Sequence, residues 1–441
     1  MYLPEIFIER TKDLLGNEWN AFEKSLQEEA PVSIRLNSGK PSDISFEEEV
    51  PWASSAYYLP ERPVFTLDPL FHAGAYYVQE ASSMYLEEMI KDRFPEPIVA
   101  LDLCAAPGGK STHLSSLLPK KSLLIANEVI SGRSGILSEN SIKWGNPYTI
   151  VTNNDPKDIG NLSHFFDLIL TDVPCSGEGM FRKDPAAISE WSVNNVHLCA
   201  ERQRRIVADI WPALKPEGIL IYSTCTYNRE ENEDNISWIC RELGAKILDE
   251  PHRFFPHKNK GEGFFIAALQ KKGDNELQNN QLSQKKDKKR AIPKQHPISA
   301  HFNYITQWLK DSDQFDIFED FSFIKAFPKN YSEVYNQIKS CLKIISSGIL
   351  LGEIKGKDLI PNHHLAMSTA LSEDAFPRWE IDRETALHYL HKDSFQSLPV
   401  NLPKGYILLT YQNLPLGFIK NIGNRANNLY PSEWRIRMNI K

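Results

Sequence analysis

The chain has 441 residues, of which 41% are hydrophobic, 24% charged and 11% aromatic, the balance of a globular protein of about three domains at roughly 150 residues each. It has no apolar run of about 18 residues, which excludes a membrane-spanning helix. Its six scattered cysteines form no Cys-x-x-Cys pair, which argues against a disulfide framework or zinc ribbon and fits a reducing cytoplasm. With 50 Lys and Arg against 57 Asp and Glu the net charge is −7, so a wholly basic nucleic-acid coat is excluded and only a local basic groove is allowed.

Residues 1–90 carry one strand-like segment, Val32-Ser-Ile-Arg-Leu36, and two helix candidates, and read as a small N-terminal α+β domain. The opening Met1-Tyr-Leu-Pro-Glu-Ile lacks the basic stretch and apolar core of a secretory signal. Over residues 91–272 the pattern changes. Ile98-Val-Ala-Leu-Asp-Leu-Cys104 is a buried strand running into a tight turn, and further strands are predicted at Leu123-Leu-Ile-Ala126, Thr149-Ile-Val-Thr152, Leu168-Ile-Leu170 and Ile219-Leu-Ile-Tyr222. Helices separate them, one predicted over Ala187 to Leu214. Alternating strands and helices predict a doubly wound parallel sheet, whose ligands bind at the carboxyl ends of the strands. The stretch Lys271 to Lys294 is almost devoid of large apolar side chains, and residues 273–295 are read as a basic polar linker. Residues 296–375 look mixed α/β. In 376–441 the alternation of Gly405-Tyr-Ile-Leu-Leu-Thr-Tyr411 and Leu416-Gly-Phe-Ile-Lys420 predicts a small β-rich domain, a β-barrel or a hairpin.

The chemistry-bearing residues fall at the predicted strand ends. After the first strand comes Asp102-Leu-Cys-Ala-Ala-Pro-Gly-Gly-Lys-Ser-Thr112. A phosphate-binding P-loop would need glycine where Cys104 stands, and Gly108-Gly109 cannot be stretched to a dinucleotide fingerprint. What remains is a glycine turn opening a helix, which lets backbone N–H groups approach a small ligand. Glu128 ends the second strand, placed to accept hydrogen bonds from ribose hydroxyls, and Asp155 follows the third. Together these point to an adenosine-containing cofactor.

The fourth strand ends in Thr171-Asp-Val-Pro-Cys-Ser-Gly-Glu-Gly-Met180 and the next in Tyr222-Ser-Thr-Cys-Thr-Tyr-Asn228, which puts Cys175 and Cys225 at the mouth of one crevice. Cys199 and Cys240 lie in helical patterns and read as small core hydrophobes. A thiolate in a polar loop is a nucleophile. Two such thiols suit methylation at carbon 5 of cytosine. Addition at carbon 6 makes carbon 5 nucleophilic towards a methylsulfonium, a group at the N3 edge, here Asp172, stabilises the adduct, and loss of the carbon 5 proton expels the thiol. The residues alone leave open which cysteine attacks.

At these positions the chain resembles the Sun-type (Nol/Nop/Sun) RNA cytosine-C5 methyltransferases. The resemblance rests on Cys104-Ala-Ala-Pro-Gly-Gly-Lys110, Asn127-Glu128 with Arg133, Asn153-Asn-Asp-Pro156, Asp172-Val-Pro-Cys-Ser-Gly-Glu-Gly-Met-Phe-Arg-Lys183, Tyr222-Ser-Thr-Cys-Thr-Tyr-Asn228 with Glu230-Glu-Asn-Glu233, and Gly263-Phe-Phe-Ile-Ala267. Tyr77-Val-Gln-Glu-Ala-Ser-Ser-Met84 and Gly177-Glu-Gly-Met-Phe-Arg-Lys183 are most similar to the bacterial RsmF-like branch, which acts on 16S ribosomal RNA. Leu416 to Lys420 with Asn428-Leu-Tyr-Pro431 resembles that branch's PUA-like RNA-binding domain.

The resemblance implies a Rossmann-like methyltransferase core holding S-adenosyl-L-methionine at Cys104, Ala105, Ala106, Pro107, Gly108, Gly109, Lys110, Glu128, Arg133, Asp155 and Asp172. It implies that Cys225 attacks and Cys175 assists release, although DNA enzymes attack from a Pro-Cys motif such as Pro174-Cys175. RNA is the expected partner, as small-subunit rRNA or the 30S subunit, with the flanking domains binding it. The expected setting is a cytoplasmic monomer with no metal and no membrane. Arg182, Lys183, Arg202, Arg204 and Arg205 are candidate phosphate contacts. The competing readings are the same reaction on tRNA, and a catalytically silent RNA-binding assembly factor.

Overall fold

The computed structural model describes residues 2–273, 296–297, 300–395 and 398–440, so most of the linker read from the sequence lies outside the described residues. The chain opens with helices Glu5–Leu15 and Trp19–Ser25 and continues into a three-stranded antiparallel sheet. Strand β1 (Val32–Leu36) lies between β2 (Ala56–Leu59) and β3 (Tyr76–Val78). The first of these is the strand expected from sequence. The other two are only four and three residues long, too short to show an alternation.

The central sheet contains β4 (Val99–Asp102), β5 (Leu123–Asn127), β6 (Thr149–Thr152), β7 (Phe166–Asp172) and β8 (Leu214–Thr224), all parallel. Their runs of Val, Ile and Leu are apolar on both faces because helices cover both sides. β9 (Ala245–Ile247) and β10 (His252–Phe254) pair with β11 (Phe264–Lys271), which runs antiparallel beside β8. The spatial order is β10-β11-β8-β7-β4-β5-β6. Chain order therefore reverses between β4 and β7, and the crevice beyond their carboxyl ends is the ligand position of an open α/β sheet.

The helix predicted over Ala187 to Leu214 is broken. Pro185–Glu190 ends at Trp191, and Ser192 caps a new helix, Val193–Ile210, by accepting from the Asn195 N–H at 3.1 Å. The buried Trp191 side chain is what fixes this corner, because its indole is bonded into the neighbouring loop.

Beyond the core, β12 (His296–Pro297), β13 (Phe315–Asp320) and β14 (Phe323–Pro328) begin a second large sheet, antiparallel throughout. The next strand, β15 (Ile344–Ser347), leaves it and pairs antiparallel with β6, covering that edge of the central sheet. β16 (Ile349–Lys355) and β17 (Asp358–Pro361) complete the second sheet. The last unit has β18 (Arg378–Glu380), β19 (Gly405–Tyr411), β20 (Leu414–Asn421) and β21 (Ala426–Asn428). Of the two alternatives read from sequence, the hairpin is present as β19–β20, closed by Gln412-Asn413, both at positive φ as in a type I′ turn. No helix of the described residues is long and apolar enough to cross a membrane.

Hydrophobic cores cross the segment boundaries. Phe318, Phe327, Tyr335 and Ile338 join the core that contains Leu101, Ile125 and Leu220. Ile34, Leu70 and Tyr76 pack with Leu387, Ile407, Leu416 and Tyr430 of the last unit. The first two helices pack Phe7 and Phe22 against Phe181, Trp191 and Tyr227 beside the crevice.

Three of the histidines packed at these seams are His72 and His113, which are buried, and His364, which is half-buried. Burial lowers each to about 4, with nearby cations acting the same way. Below 6.5 the unfolded chain takes up these protons while the folded chain does not until about 4, so stability falls as pH drops through that window. Burial raises Asp102 to about 7, which has the opposite sign, but one carboxyl is outweighed by three imidazoles. Urea unfolding across this range is expected to lose on the order of 1–3 kcal/mol per pH unit on acidification. A flat profile would contradict the burial of these rings.

Candidate active site

The crevice at the β4/β7 reversal collects most of the sequence candidates. Asp102 is fully buried at the end of β4. Ser111 Oγ donates to its Oδ2 at 2.6 Å, while Oδ1 is buried without a partner. Cys104 follows it, and burial, then the carboxylates of Asp102, Asp172 and Glu128, push its thiol up. Three acids thus converge on one turn. That turn is Ala105-Ala106-Pro107-Gly108-Gly109, where Gly108 has φ 118°, a backbone conformation that favours glycine. Lys110 is the second residue of the following helix, Gly109–Leu117.

Asn127 ties the strand ends together. Its Nδ2 donates to Leu103 O (3.1 Å) and Asn154 O (3.0 Å), and its Oδ1 accepts from Thr152 Oγ1 (2.9 Å) and the Asn154 N–H (3.0 Å). Glu128 is buried beside it. One oxygen accepts the Ile130 N–H at 2.8 Å, and the other lies 3.8 Å from Arg133. Arg133 reaches back to donate to Ala106 O at 2.6 Å, clamping the turn. Asp155 is exposed and caps the helix Pro156–Gly160 through the Lys157 N–H at 3.0 Å, so its carboxylate holds local backbone.

Across the crevice, Asp172 ends β7. It accepts from Ser223 Oγ at 2.7 Å on one oxygen and from Lys110 Nζ at 2.9 Å on the other. The ammonium also lies 5.0 Å from the Phe264 ring centre. Burial opposes the Lys110 charge, but Asp172, Cys225 and Asp102 more than offset it and hold its pKa above the usual value. Cys175 Sγ and Cys225 Sγ are 2.9 Å apart, and the Cys225 N–H points at Cys175 Sγ at 3.4 Å. The Cys225 sulfur contact, then burial, then the Cys225 charge raise the Cys175 thiol well above its ordinary value.

Two buried carboxylates hold the loops that carry these thiols. Glu178 accepts from Thr226 Oγ1 and the N–H groups of Tyr227 and Asn228 on one oxygen. Glu231 accepts from the Ser176 N–H (3.0 Å) and Gln203 Nε2 (2.7 Å) on one oxygen and Asn228 Nδ2 (2.8 Å) on the other. Neither was singled out from sequence, because an acidic residue in a polar loop reads as solvated. Their visible signals are position, each a few residues from a candidate cysteine, and a place inside the segments that carry the resemblance.

The basic candidates separate. Arg182 is buried. It donates to both oxygens of Glu262 at 3.1 Å and to Gly261 O at 2.8 Å, so its guanidinium is consumed inside the fold and does not meet phosphate, a correction to the sequence expectation. Arg204 is half-buried and donates to Asn235 Oδ1 at 2.7 Å. Lys183 lies 3.6 Å from Glu262, while Arg202 and Arg205 are exposed.

Three family models match the chain in order. They are the N-terminal domain of 16S rRNA methyltransferase RsmF over residues 3–81, 16S rRNA methyltransferase RsmB/F over 93–270 and the methyltransferase RsmF PUA domain over 376–436. The ribosomal RNA small subunit methyltransferase F of Pectobacterium atrosepticum is 30% identical over an alignment of 479 residues, spanning 98% of this chain and 95% of that protein. That of Aliivibrio fischeri is 28% identical, spanning 98% of each. A solved structure, a methyltransferase homolog protein from Pyrococcus horikoshii, matches with a TM-score of 0.53 at 27% identity, covering 61% of this chain and 95% of that one. The fold is thus a Rossmann-like methyltransferase core between an N-terminal domain and a C-terminal PUA domain. Within that class, the chain belongs to the ribosomal RNA small subunit methyltransferase F family.

Gly179 is a tight joint of the site. Its N–H donates to Cys225 O at 2.9 Å, and an added Cβ would stand 2.4 Å from Gly263 O and 2.8 Å from Cys225 O. Gly179→Ala is therefore expected to destabilise the protein by about 1–3 kcal/mol and to depress methyl transfer while leaving donor binding nearly intact. Thermal unfolding with calorimetric donor titration checks this. Unchanged stability and rate would contradict the close approach.

Proposed function

We propose that this chain transfers the methyl group of S-adenosyl-L-methionine to carbon 5 of a cytosine in 16S ribosomal RNA, through a covalent bond between Cys225 and carbon 6. The observation that carries the reading is the thiol pair, 2.9 Å apart at the ends of β7 and β8 and next to the Asp172–Lys110 pair. The residues fit the donor. The unpartnered buried oxygen of Asp102 suits an ammonium group, Glu128 suits ribose hydroxyls, and the Gly108-Gly109 turn brings backbone close. When bound there, S-adenosyl-L-methionine supplies the electrophilic methyl group that carbon 5 takes up.

The protein's own groups account for the rest. Cys225 in its thiolate form is stabilised by the Cys175 S–H and the Lys110 ammonium, and its lone pair forms the bond to carbon 6. The electrons displaced from the 5,6 double bond are drawn to N3, where a proton passed from Lys110 through Asp172 Oδ2 neutralises the charge, and it returns by the same path when carbon 5 takes the methyl group. Once the Cys225 sulfur is spent in the new bond, it no longer holds the Cys175 proton as a charged acceptor, and Cys175 can release that proton to solvent. It then takes the proton from carbon 5. The carbon–hydrogen electrons restore the double bond and expel Cys225 as thiolate, with one proton released overall. A base in a helix is out of reach of this pair, so the target cytosine must be unstacked. The flanking domains supply the RNA contacts, and a cytoplasmic monomer completes the reading.

Covalent trapping tests this on a denaturing gel with the donor and small-subunit RNA. Cys175→Ala is expected to accumulate an RNA-linked band and Cys225→Ala none. The reverse pattern would exchange the thiol roles, and a band with tRNA alone would move the substrate. No band from any variant with any RNA would favour a silent binding factor.

A further inference from the structure

Glu178 is 2% exposed and has no ion pair among the described residues, so its carboxylate oxygens are satisfied by hydrogen bonds. Its Oε2 accepts from Thr226 Oγ1 at 2.7 Å and from the N–H groups of Tyr227 and Asn228, each at 2.9 Å. These are the three residues that follow Cys225. Its Oε1 accepts from Trp191 Nε1 at 2.9 Å. One oxygen therefore grips the nucleophile's loop while the other is anchored to the corner between two helices.

The anchor belongs to the N-terminal helix pair as much as to the core. Trp191 meets the Phe7 ring edge-on at 5.6 Å, and Phe7 lies 5.0 Å from Phe181, three residues beyond Glu178. On the loop side, Tyr227 meets Phe22 edge-on at 5.0 Å and stacks on Phe255 at 5.4 Å. Phe7 and Phe22 come from the two opening helices, Glu5–Leu15 and Trp19–Ser25.

The geometry points to Glu178 as a positioning residue for Cys225, with the N-terminal helices setting its orientation through Trp191 and Tyr227. This rests on Cys225 being the attacking thiol. Glu178 does not touch the reacting atoms. It fixes the backbone that aims them, and it needs both oxygens as acceptors. A glutamine offers one acceptor. With its carbonyl on the loop, its NH₂ faces the Trp191 N–H, donor against donor. Removing the indole N–H with Trp191→Phe relieves that conflict, so the two substitutions must be strongly non-additive.

The test measures the rate of covalent RNA adduct formation in full-length protein carrying Cys175→Ala, with RNA affinity, donor affinity and thermal unfolding measured in parallel. Glu178→Gln is expected to slow adduct formation about 100-fold, with both affinities held within about threefold. Trp191→Phe alone is expected to slow it about threefold, and Glu178→Gln with Trp191→Phe to recover about tenfold over Glu178→Gln. Where Glu178→Gln does not fold, Thr226→Val removes one of the loop donors, and about a tenfold slower reaction at unchanged affinities is expected. An unchanged rate in Glu178→Gln or Thr226→Val, or multiplying losses in the double variant, would overturn the positioning role. Absence of adduct in the Cys175→Ala parent would instead sink the assignment of Cys225, and this inference with it.

Discussion

The site depends on one constraint: two loops leaving adjacent parallel strands must hold their thiols in contact. Strand pairing alone cannot do this, since it sets β7 and β8 side by side but leaves the residues beyond Asp172 and Thr224 unpaired. Buried carboxylates replace the missing ladder. Glu178 belongs to the first loop and binds backbone of the second, while Glu231 follows the second and binds backbone of the first. This reciprocal exchange is costly to assemble, because each charge is taken out of water, and it tolerates few alternatives once formed. The Ser176, Thr226 and Asn228 side chains, bonded among themselves at 2.9–3.3 Å, complete the network.

Much of this architecture is legible in the sequence because a parallel sheet covered on both faces leaves a plain mark. The runs ending at Asp102, Asn127, Thr152 and Asp172 are continuous apolar stretches, and the polar residues at their ends mark the crevice. Contacts that depend on distant segments leave no such mark. β15 has only a short Ile-Ile-Ser-Ser segment, and nothing local says that it will leave its own sheet to cover β6. Arg182 looks like a phosphate ligand until Glu262, 80 residues further on, is seen to enclose it. The corner at Trp191 breaks a continuous helical pattern for an equally remote reason, its bond to Glu178 and its contact with Phe7.

The same remoteness explains how flanking domains become part of a single molecule. Arg35, fully buried in the N-terminal sheet, lies over the Trp144 ring at 4.5 Å and donates to Thr112 Oγ1 at 2.8 Å in the helix after the glycine turn. Burial lowers its pKa to about 9. Lys40 donates to Ala73 O and Lys143 O at 2.8 and 2.6 Å, and burial lowers it to about 7. These cations cross-link the N-terminal domain to the core without reaching solvent. They show why a net charge of −7 gives little guidance here, since several basic residues act as internal fasteners rather than as surface for RNA.

The central claim is that carbon 5 of a cytosine is the methyl acceptor, and its proton provides the most direct check. Small-subunit RNA carrying tritium at carbon 5 of cytosine should release tritium to water in step with methyl transfer, one for one, and neither should occur in Cys225→Ala. Methyl transfer with the tritium retained in the RNA would place the new methyl group on another atom and contradict the chemistry assigned to the thiol pair.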